Sequence, residues 1–195
     1  MAPPEEGPVR SGKGPVREIL ETVALALVVA LVVRTFGVQI YRVDGESMLP
    51  TLAHGDRLLV NKLVYRIRGP VPGEVVVIRD PADPRRHLVK RVVAVGGEEV
   101  EVRGDEVRLN GLLLDEPYVN PESPGTYNAG PLTVPEGYVW VMGDNRGASL
   151  DSRLLGPIPV SRVEGRAVVL VWPPSRVREE VPLDRKSTRL NSSHP

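Results

Sequence analysis

Two residues of this 195-residue sequence, Ser47 and Lys90, are of types that together can perform nucleophilic chemistry. Ser47 lies in the stretch VDGESMLPTL (43–52), between Gly45 and Pro50, where glycine and proline favour a tight turn. A serine hydroxyl is a weak nucleophile until a neighbouring group accepts its proton. The chemistry therefore depends on which base can reach Ser47.

Histidine is the usual base for a catalytic serine, and His54 and His87 are the candidates that follow Ser47 before the C-terminal tail. Both lie in turn-forming segments, LAHGD and DPADPRRH, which are typical of solvated loops. The nucleophile-elbow pattern requires glycine two positions after the serine, whereas this sequence has Leu49 there. A histidine-based α/β-hydrolase is therefore disfavoured.

Lysine is the alternative base, and among the four lysines Lys62 and Lys90 remain once the two terminal ones are set aside. In HLVKRVVAV (87–95) the two-residue period of a strand places Lys90 on an apolar face with Leu88, Val92 and Ala94. Burial there would lower the pKa of the amine and let it accept a proton near neutral pH. The pattern alone equally allows an edge-strand lysine whose ammonium reaches water.

An apolar segment, REILETVALALVVALVVRTFGVQIYRV (17–43), precedes the serine turn. A helix over 19–41 would be about 34 Å long, enough for a hydrocarbon core of about 30 Å if Arg34 reaches the interface. The run ends in Arg34 and no small-residue cleavage site follows before Ser47, so we predict a transmembrane anchor rather than a cleaved signal sequence.

The anchor divides the chain into further segments. Three basic residues precede it: Arg10, Lys13 and Arg17. Because positively charged residues stay on the cytoplasmic side, they predict a cytoplasmic tail over 1–18. Residues 42–183 would then form an extracytoplasmic domain, with a small β cap over 98–138. The polar segment 184–195 has no apolar periodicity, and we interpret it as a disordered tail or as translated sequence foreign to the gene.

Composition excludes several other classes of protein. The sequence has no cysteine, which removes disulfide scaffolds, thiol nucleophiles and thiolate metal sites. Lysine plus arginine and aspartate plus glutamate both total 25, so no net charge favours nucleic-acid binding. We expect neither a cofactor nor a nucleic-acid partner.

Short valine-rich runs bounded by turn residues predict a mostly β domain. Residues 103–106 predict a hairpin between two alternating segments, and 120–135 predicts a surface loop rich in proline and glycine. The predicted strands lie in DRLLVNKLVY, GEVVVIRD, HLVKRVVAV, EEVEVRGDEVRLNG, GYVWVMGD and GRAVVLVW.

Four segments resemble, in order and approximate spacing, the sequence boxes of the bacterial type I signal peptidases, or leader peptidases. They are SMLPTL (47–52), GDRLLVNK (55–62), KRVVAVGGEEV (90–100) and GDNRGASLDSR (143–153). The resemblance covers about 18–172 and implies a signal-peptidase-like antiparallel β domain with a small β cap after one N-terminal transmembrane helix. It also implies that Ser47 is the nucleophile, Lys90 the general base and Ser149 the hydroxyl that orients the lysine amine.

The same resemblance implies two structural ion pairs behind the site, Asp144 with Arg91 and Asp151 with Arg153. Met48 is expected to line the substrate pocket. The implied substrates are signal peptides of exported preproteins with small residues at the first and third positions before the cut. The implied location is the bacterial plasma membrane, with the lipid bilayer as a second partner.

Two positions depart from the family pattern. Gly45 stands where many members have a serine or threonine that helps to stabilise the oxyanion, so the Ser47 N–H and a second, unidentified donor must serve instead. Gly96 replaces the proline of the third box. Two other readings stay open: a self-cleaving Ser/Lys repressor relative, for which no DNA-binding module is present, and a catalytically silent membrane-tethered β module, which would require an exposed Lys90 remote from Ser47.

Overall fold

A computed structural model of the chain describes residues 15–177, with side chains inside the first helix described for residues 16–31. Two units divide at Gly37: an N-terminal helix and a β domain. The predicted tail over 184–195 and most of the predicted cytoplasmic tail lie outside the described residues.

Helix α1 (Pro15–Phe36) forms the first unit, and its large apolar side chains between Val16 and Leu31 are exposed. The sequence predicted a helix continuing to Tyr41. The helix instead ends at Phe36, because Gly37 is a poor helix former and Tyr41 pairs with Leu58 in a β-ladder. Among residues 15–177, no helix has both the length and the apolar character needed to cross a membrane.

Eleven strands build the second unit. In chain order they are β1 (Val38–Arg42), β2 (Arg57–Asn61), β3 (Val75–Arg79), β4 (His87–Val95), β5 (Glu99–Arg103), β6 (Glu106–Leu109), β7 (Leu112–Leu113), β8 (Asn128–Thr133), β9 (Tyr138–Met142), β10 (Ile158–Pro159) and β11 (Val163–Trp172). Two short α-helices, α2 (Val64–Ile67) and α3 (Ser152–Leu155), and three 3₁₀ turns, Arg146–Ala148, Val160–Arg162 and Pro174–Arg176, complete it.

The strands form two antiparallel sheets. The larger has seven strands in the order β1-β2-β11-β3-β4-β9-β10, and the smaller has four in the order β7-β6-β5-β8. The mostly β, antiparallel class predicted from the sequence is confirmed. The smaller sheet spans 99–133, which lies within the stretch where the sequence predicted a cap, and its hairpin turns at residues 103–106.

The core explains why β4 reads as a continuous apolar run. This strand pairs with β3 on one side and β9 on the other, and every residue from Leu88 to Ala94 is buried. Its two faces are covered by separate apolar clusters, one of which joins Val93 and Trp140 of the large sheet to Val100 and Val102 of the small sheet. A strand buried on both faces carries no alternation between apolar and polar residues.

The structure differs from the sequence prediction in one strand and at one strand end. The segment 120–135 was predicted as a loop, but β8 lies within it as an edge strand of the small sheet. Gly130, at positive φ, fits there because a Cβ would lie 2.4 Å from the Val100 carbonyl oxygen, and Pro131 is tolerated at an edge. Strand β2 stops at Asn61, whose Oδ1 accepts the Leu63 and Val64 N–H groups and starts α2.

Candidate active site

Ser47 lies on the turn that connects β1 to β2. Backbone hydrogen bonds from Val43 N–H to the Asp56 carbonyl (2.7 Å) and from Gly55 N–H to the Val43 carbonyl (2.9 Å) close the turn at its base. Met48 and Leu52 are each 1% exposed and pack into the apolar cluster under the large sheet. The hydrogen bonds at the base of the turn and the burial of Met48 and Leu52 hold the turn in place, and Ser47 is half-buried.

Lys90 lies on β4 in the interior of the large sheet, and its Nζ donates a hydrogen bond to Ser47 Oγ at 2.6 Å. Lys90 is 2% exposed, so it is not an edge-strand lysine whose ammonium reaches water. At this separation an unprotonated amine can equally accept the proton of the hydroxyl.

The surroundings of Lys90 favour the neutral amine. Burial is the main cause that lowers the pKa of Lys90 from 10.5 to about 8. Asp151 and Asp144 oppose the shift, whereas Arg86 and Arg153 add to it. Among residues 15–177 no carboxylate forms an ion pair with Nζ, so desolvation is not offset by a close counter-charge.

A cleft of about 220 Å³ opens over the two side chains. Residues from the Ser47 turn, from β1 and from β4 line it, together with Ala148 and Leu150 from the segment after β9. Within the described part of the chain no group of three or more acidic or histidine side chains is arranged to hold a metal ion.

Arg91 follows Lys90 on β4 and pairs with Asp144, which follows β9. Arg91 Nε and Nη2 donate to the two carboxylate oxygens at 2.9 and 2.7 Å, and both side chains are 1% exposed. Thr51 donates its hydroxyl to the same carboxylate, and the guanidinium carbon lies 3.9 Å from the centre of the Tyr118 ring. The pair expected from the resemblance is therefore present, and it ties the Ser47 turn to β4.

The second expected pair, Asp151 with Arg153, is also buried. Arg153 donates to Asp151 at 2.9 and 2.8 Å, and Asp151 accepts the Gly143 N–H at 3.0 Å. Although burial opposes the change, these hydrogen bonds lower the pKa of Asp151. Asp151 also caps α3, since its Oδ1 accepts the Arg153 N–H.

Two predicted site residues are placed differently from expectation. Met48 belongs to the buried core and does not line the cleft, because its side chain points to the apolar cluster below the turn. Ser149 is 8% exposed, and its Oγ has no hydrogen-bond partner among the described residues, so the expected contact with the Lys90 amine is not formed.

The structure brings to the site four residues that the sequence patterns did not indicate. The Asn145 side chain donates a hydrogen bond to the Glu46 carbonyl in the Ser47 turn. Arg146 donates to Glu116 at 2.7 Å, and both of these side chains are buried. Tyr118 stacks on Arg91 and donates its hydroxyl to Glu116. Asn145 and Arg146 lie inside the fourth sequence box, whereas Glu116 and Tyr118 come from the loop after β7, where no pattern marks them.

A buried amine within hydrogen-bond distance of a serine hydroxyl, in an open cleft, is the arrangement of a serine hydrolase. Comparison with known proteins agrees with this class. The family model "Signal peptidase, peptidase S26" matches residues 16–172. Signal peptidase I of Mycobacterium tuberculosis is 38% identical, with 82% of this chain and 74% of that protein covered. Signal peptidase I of Leptolyngbya laminosa is also 38% identical, with 85% and 84% covered.

The chain therefore belongs to the signal peptidase family, and its enzyme class is that of a serine peptidase of the signal peptidase I type. This confirms the family predicted from the four sequence boxes. A crystal structure of a signal peptidase I from Enterococcus faecalis V583 matches with a TM-score of 0.45 and 31% identity, covering 52% of this chain and 99% of that one.

The buried ion pair gives a first testable prediction. Asp144→Ala leaves Arg91 buried without its carboxylate, so we expect the free energy of unfolding to fall by about 3–5 kcal/mol. Urea denaturation followed by the fluorescence of Trp140 and Trp172 measures the change.

The control is Asp83→Ala, which removes the partner of Arg85 in an ion pair whose arginine side chain is 92% exposed. That change should cost at most about 1 kcal/mol. Equal losses in the two variants would contradict a special contribution from the buried pair.

Proposed function

We propose that this protein is a membrane-attached endopeptidase that removes N-terminal signal peptides from exported preproteins, with Ser47 as nucleophile and Lys90 as general base. The family supports signal-peptide removal as the reaction. The observation that carries the assignment of the dyad is the 2.6 Å separation of Lys90 Nζ and Ser47 Oγ at a buried lysine.

In the proposed reaction, Ser47 Oγ attacks the carbonyl carbon of the scissile peptide bond while its proton passes to neutral Lys90 Nζ. The tetrahedral intermediate then expels the new amino terminus, which takes the proton from Lys90, and an acyl-enzyme remains on Ser47. A water molecule then gives a proton to Lys90 as its oxygen attacks the ester carbonyl. Lys90 returns that proton to Ser47 Oγ as the ester bond breaks, and the signal peptide leaves with a free carboxylate.

Charge that develops on the carbonyl oxygen needs a donor, and we propose the backbone N–H of Ser47. This N–H donates to no acceptor within residues 15–177, so it is available to the substrate. Gly45, two positions earlier, has no side chain that could contribute. A backbone donor that is already fixed costs no reorganisation during the reaction, which is why such donors have large effects on rate.

The proposed preference for small residues before the cut is supported by the size of the cleft. Its volume of about 220 Å³ lies below the range of about 300–1,000 Å³ typical of sites for drug-sized ligands. Ala148 and Leu150 add short or apolar side chains to its lining. An extended substrate with small side chains at alternate positions would suit such a cleft.

We propose that the two buried ion pairs act structurally. The Arg91–Asp144 pair holds the Ser47 turn against β4 through Thr51, and the Asp151–Arg153 pair fixes the segment that begins at Gly143. Orientation of the Lys90 amine by Ser149 stays a prediction, and it requires a contact that is not formed in this structure.

Attachment to a bilayer is proposed to occur through α1. Nine of its large apolar side chains are more than half exposed: Val16, Ile19, Leu20, Val23, Leu25, Leu27, Val28, Val29 and Leu31. A helix that is apolar around its circumference is suited to an apolar environment. The single-pass topology, with a cytoplasmic N-terminus and an outward-facing catalytic domain, stays a prediction.

Loss of either member of the dyad should abolish turnover. We expect Ser47→Ala and Lys90→Ala each to lower kcat for a synthetic signal-peptide substrate by at least about 1,000-fold, because the nucleophile and base act as a unit. The assay follows cleavage by mass spectrometry.

Lys62→Ala is the matched control, since Lys62 lies outside the cleft and contacts Glu164 and Gln39. It should retain wild-type kcat. Near-normal turnover by Lys90→Ala would refute the assignment of the base.

The lowered pKa of Lys90 predicts the pH dependence. Only the neutral amine accepts the Ser47 proton, so kcat/KM should rise with pH through an apparent pKa of about 8 and be lost as the pH falls below it. Initial rates between pH 6 and pH 10 measure this limb, on the order of two units either side of the midpoint.

Arg86→Gln tests whether this limb belongs to Lys90. Arg86 lowers the pKa of Lys90, so its removal should move the limb to higher pH. A limb that stays in place, or moves to lower pH, would assign the titration to another group.

Membrane attachment is tested by alkaline carbonate extraction of cells that express the full chain. We expect the wild type to stay in the membrane pellet and the double variant Leu27→Lys, Leu31→Lys to enter the supernatant, because charged side chains at the centre of an inserted helix are unfavourable by about 2.5–3.5 kcal/mol each. Extraction of the wild type into the supernatant would contradict the anchor.

A further inference from the structure

Asn145 connects the segment after β9 to the nucleophile turn through two hydrogen bonds. Its side-chain Nδ2 donates to the Glu46 carbonyl at 3.0 Å, and its backbone N–H donates to the Ser47 carbonyl at 3.0 Å. Asn145 is 4% exposed. Two successive carbonyl groups of the turn are thus held by one residue.

The first of these bonds has a geometric consequence for the Ser47 N–H. The Glu46 carbonyl and the Ser47 N–H belong to one planar peptide unit, which is trans. In a trans unit the C=O and N–H bonds point in opposite directions. A donor that fixes the Glu46 carbonyl therefore also fixes the direction of the Ser47 N–H, away from Asn145.

The Glu46 carbonyl also accepts the Leu49 N–H of the same turn at 3.1 Å, so the Asn145 amide is the second of two donors, and the residue that precedes the turn shows why a second one is useful. Gly45 has φ of +97°, and a Cβ there would meet nothing within 4 Å. Glycine in open space offers little resistance to rotation of the adjoining peptide. The chain that enters the turn is therefore only weakly restrained by sterics, and Asn145 adds to the local Leu49 hydrogen bond a donor from a distant segment of the chain.

The orientation of the Asn145 amide agrees with this role. A carbonyl accepts hydrogen bonds only from a donor, so Nδ2 must face Glu46 and Oδ1 must face away. Oδ1 is then buried and has no hydrogen-bond partner among the described residues. An unsatisfied buried acceptor is unfavourable for stability, so the amide is not placed for stability alone.

We propose that Asn145 is a positioning residue that clamps the Glu46–Ser47 peptide and thereby aims the Ser47 N–H at the oxyanion of the tetrahedral intermediate. This inference rests on the proposed function, with Ser47 as nucleophile. Asn145 itself touches no reacting atom and acts through the Glu46 carbonyl. Its effect belongs to the transition state, where the carbonyl oxygen carries charge, rather than to substrate binding.

The test compares Asn145→Ala and Asn145→Asp with the wild type. The alanine variant removes the donor, the aspartate variant keeps the shape but presents an acceptor to Glu46, and both retain the backbone bond to Ser47. We expect kcat for a signal-peptide substrate to fall by about 10- to 100-fold, with KM within about 3-fold of the wild type.

A second measurement separates oxyanion stabilisation from general damage. A peptide aldehyde adds to Ser47 Oγ and places an oxyanion where the intermediate carries one, whereas the matching peptide carboxamide binds without forming it. The inhibition constant of the aldehyde should rise by about the factor by which kcat falls, and that of the carboxamide should stay within about 3-fold.

Asn61→Ala is the matched control. Its side-chain oxygen accepts backbone N–H groups at the start of α2, so the variant loses an asparagine contact of similar kind outside the cleft. Its kcat and aldehyde affinity should be unchanged.

Thermal unfolding by circular dichroism is measured for every variant. Asn145→Ser, whose shorter side chain cannot reach Glu46, replaces any variant that does not unfold cooperatively.

The outcomes are distinguishable. Equal weakening of aldehyde and carboxamide binding, or an unchanged kcat in both Asn145 variants, would overturn the positioning role while leaving the proposed peptidase intact. A wild-type protein that neither cleaves the substrate nor binds the aldehyde would instead overturn the proposed function, and the role of Asn145 with it.

Discussion

Enclosure of the Lys90 amine beside the Ser47 hydroxyl is the constraint on which the arrangement of the β domain depends. A lysine ammonium is unfavourable away from water, so a buried lysine is retained only where the surrounding structure enforces it. Pairing between β3 and β9 keeps β4 in the interior of the sheet, and every residue from Leu88 to Ala94 is buried. The closed turn that carries Ser47 then completes the enclosure.

The charged groups around this amine have opposing effects on its pKa. Asp144 and Asp151 are each paired with a buried arginine, Arg91 and Arg153. The two carboxylates raise the pKa of Lys90, whereas Arg86 and Arg153 lower it. Desolvation therefore remains the dominant influence. The small sheet takes part through the loop after β7, since Tyr118 stacks on Arg91 and Glu116 binds Arg146.

Much of this arrangement was predictable from the sequence, because local patterns determine it. Valine-rich runs bounded by turn residues indicated the strands, and the four boxes indicated Ser47, Lys90 and the two ion pairs. The burial of Lys90 was not predictable from HLVKRVVAV alone, since it depends on which strands flank β4. The helix end at Phe36 was missed because apolar and β-branched residues from 38 to 41 suit a helix or a strand equally well.

Contacts between distant segments account for the remaining differences. Asn145 lies 99 positions from Glu46, with which it forms a hydrogen bond. Hydrophobic periodicity in the sequence does not predict a contact between such distant residues. Met48 was expected in the cleft because it neighbours Ser47, but a turn directs adjacent side chains to different sides, and that of Met48 enters the core. Neighbours in sequence thus separate at the site, while remote residues meet there.

The proposed dependence of the base on burial has a consequence for the protein before folding is complete. Until β3 and β9 have both joined β4, Lys90 is solvated and has its ordinary pKa of 10.5, so almost every molecule carries the amine as ammonium at neutral pH. A nascent or partly assembled chain therefore holds a serine with no acceptor for its proton. Under the proposed mechanism, completion of the sheet is therefore the step that makes the Ser47–Lys90 pair competent for proton transfer.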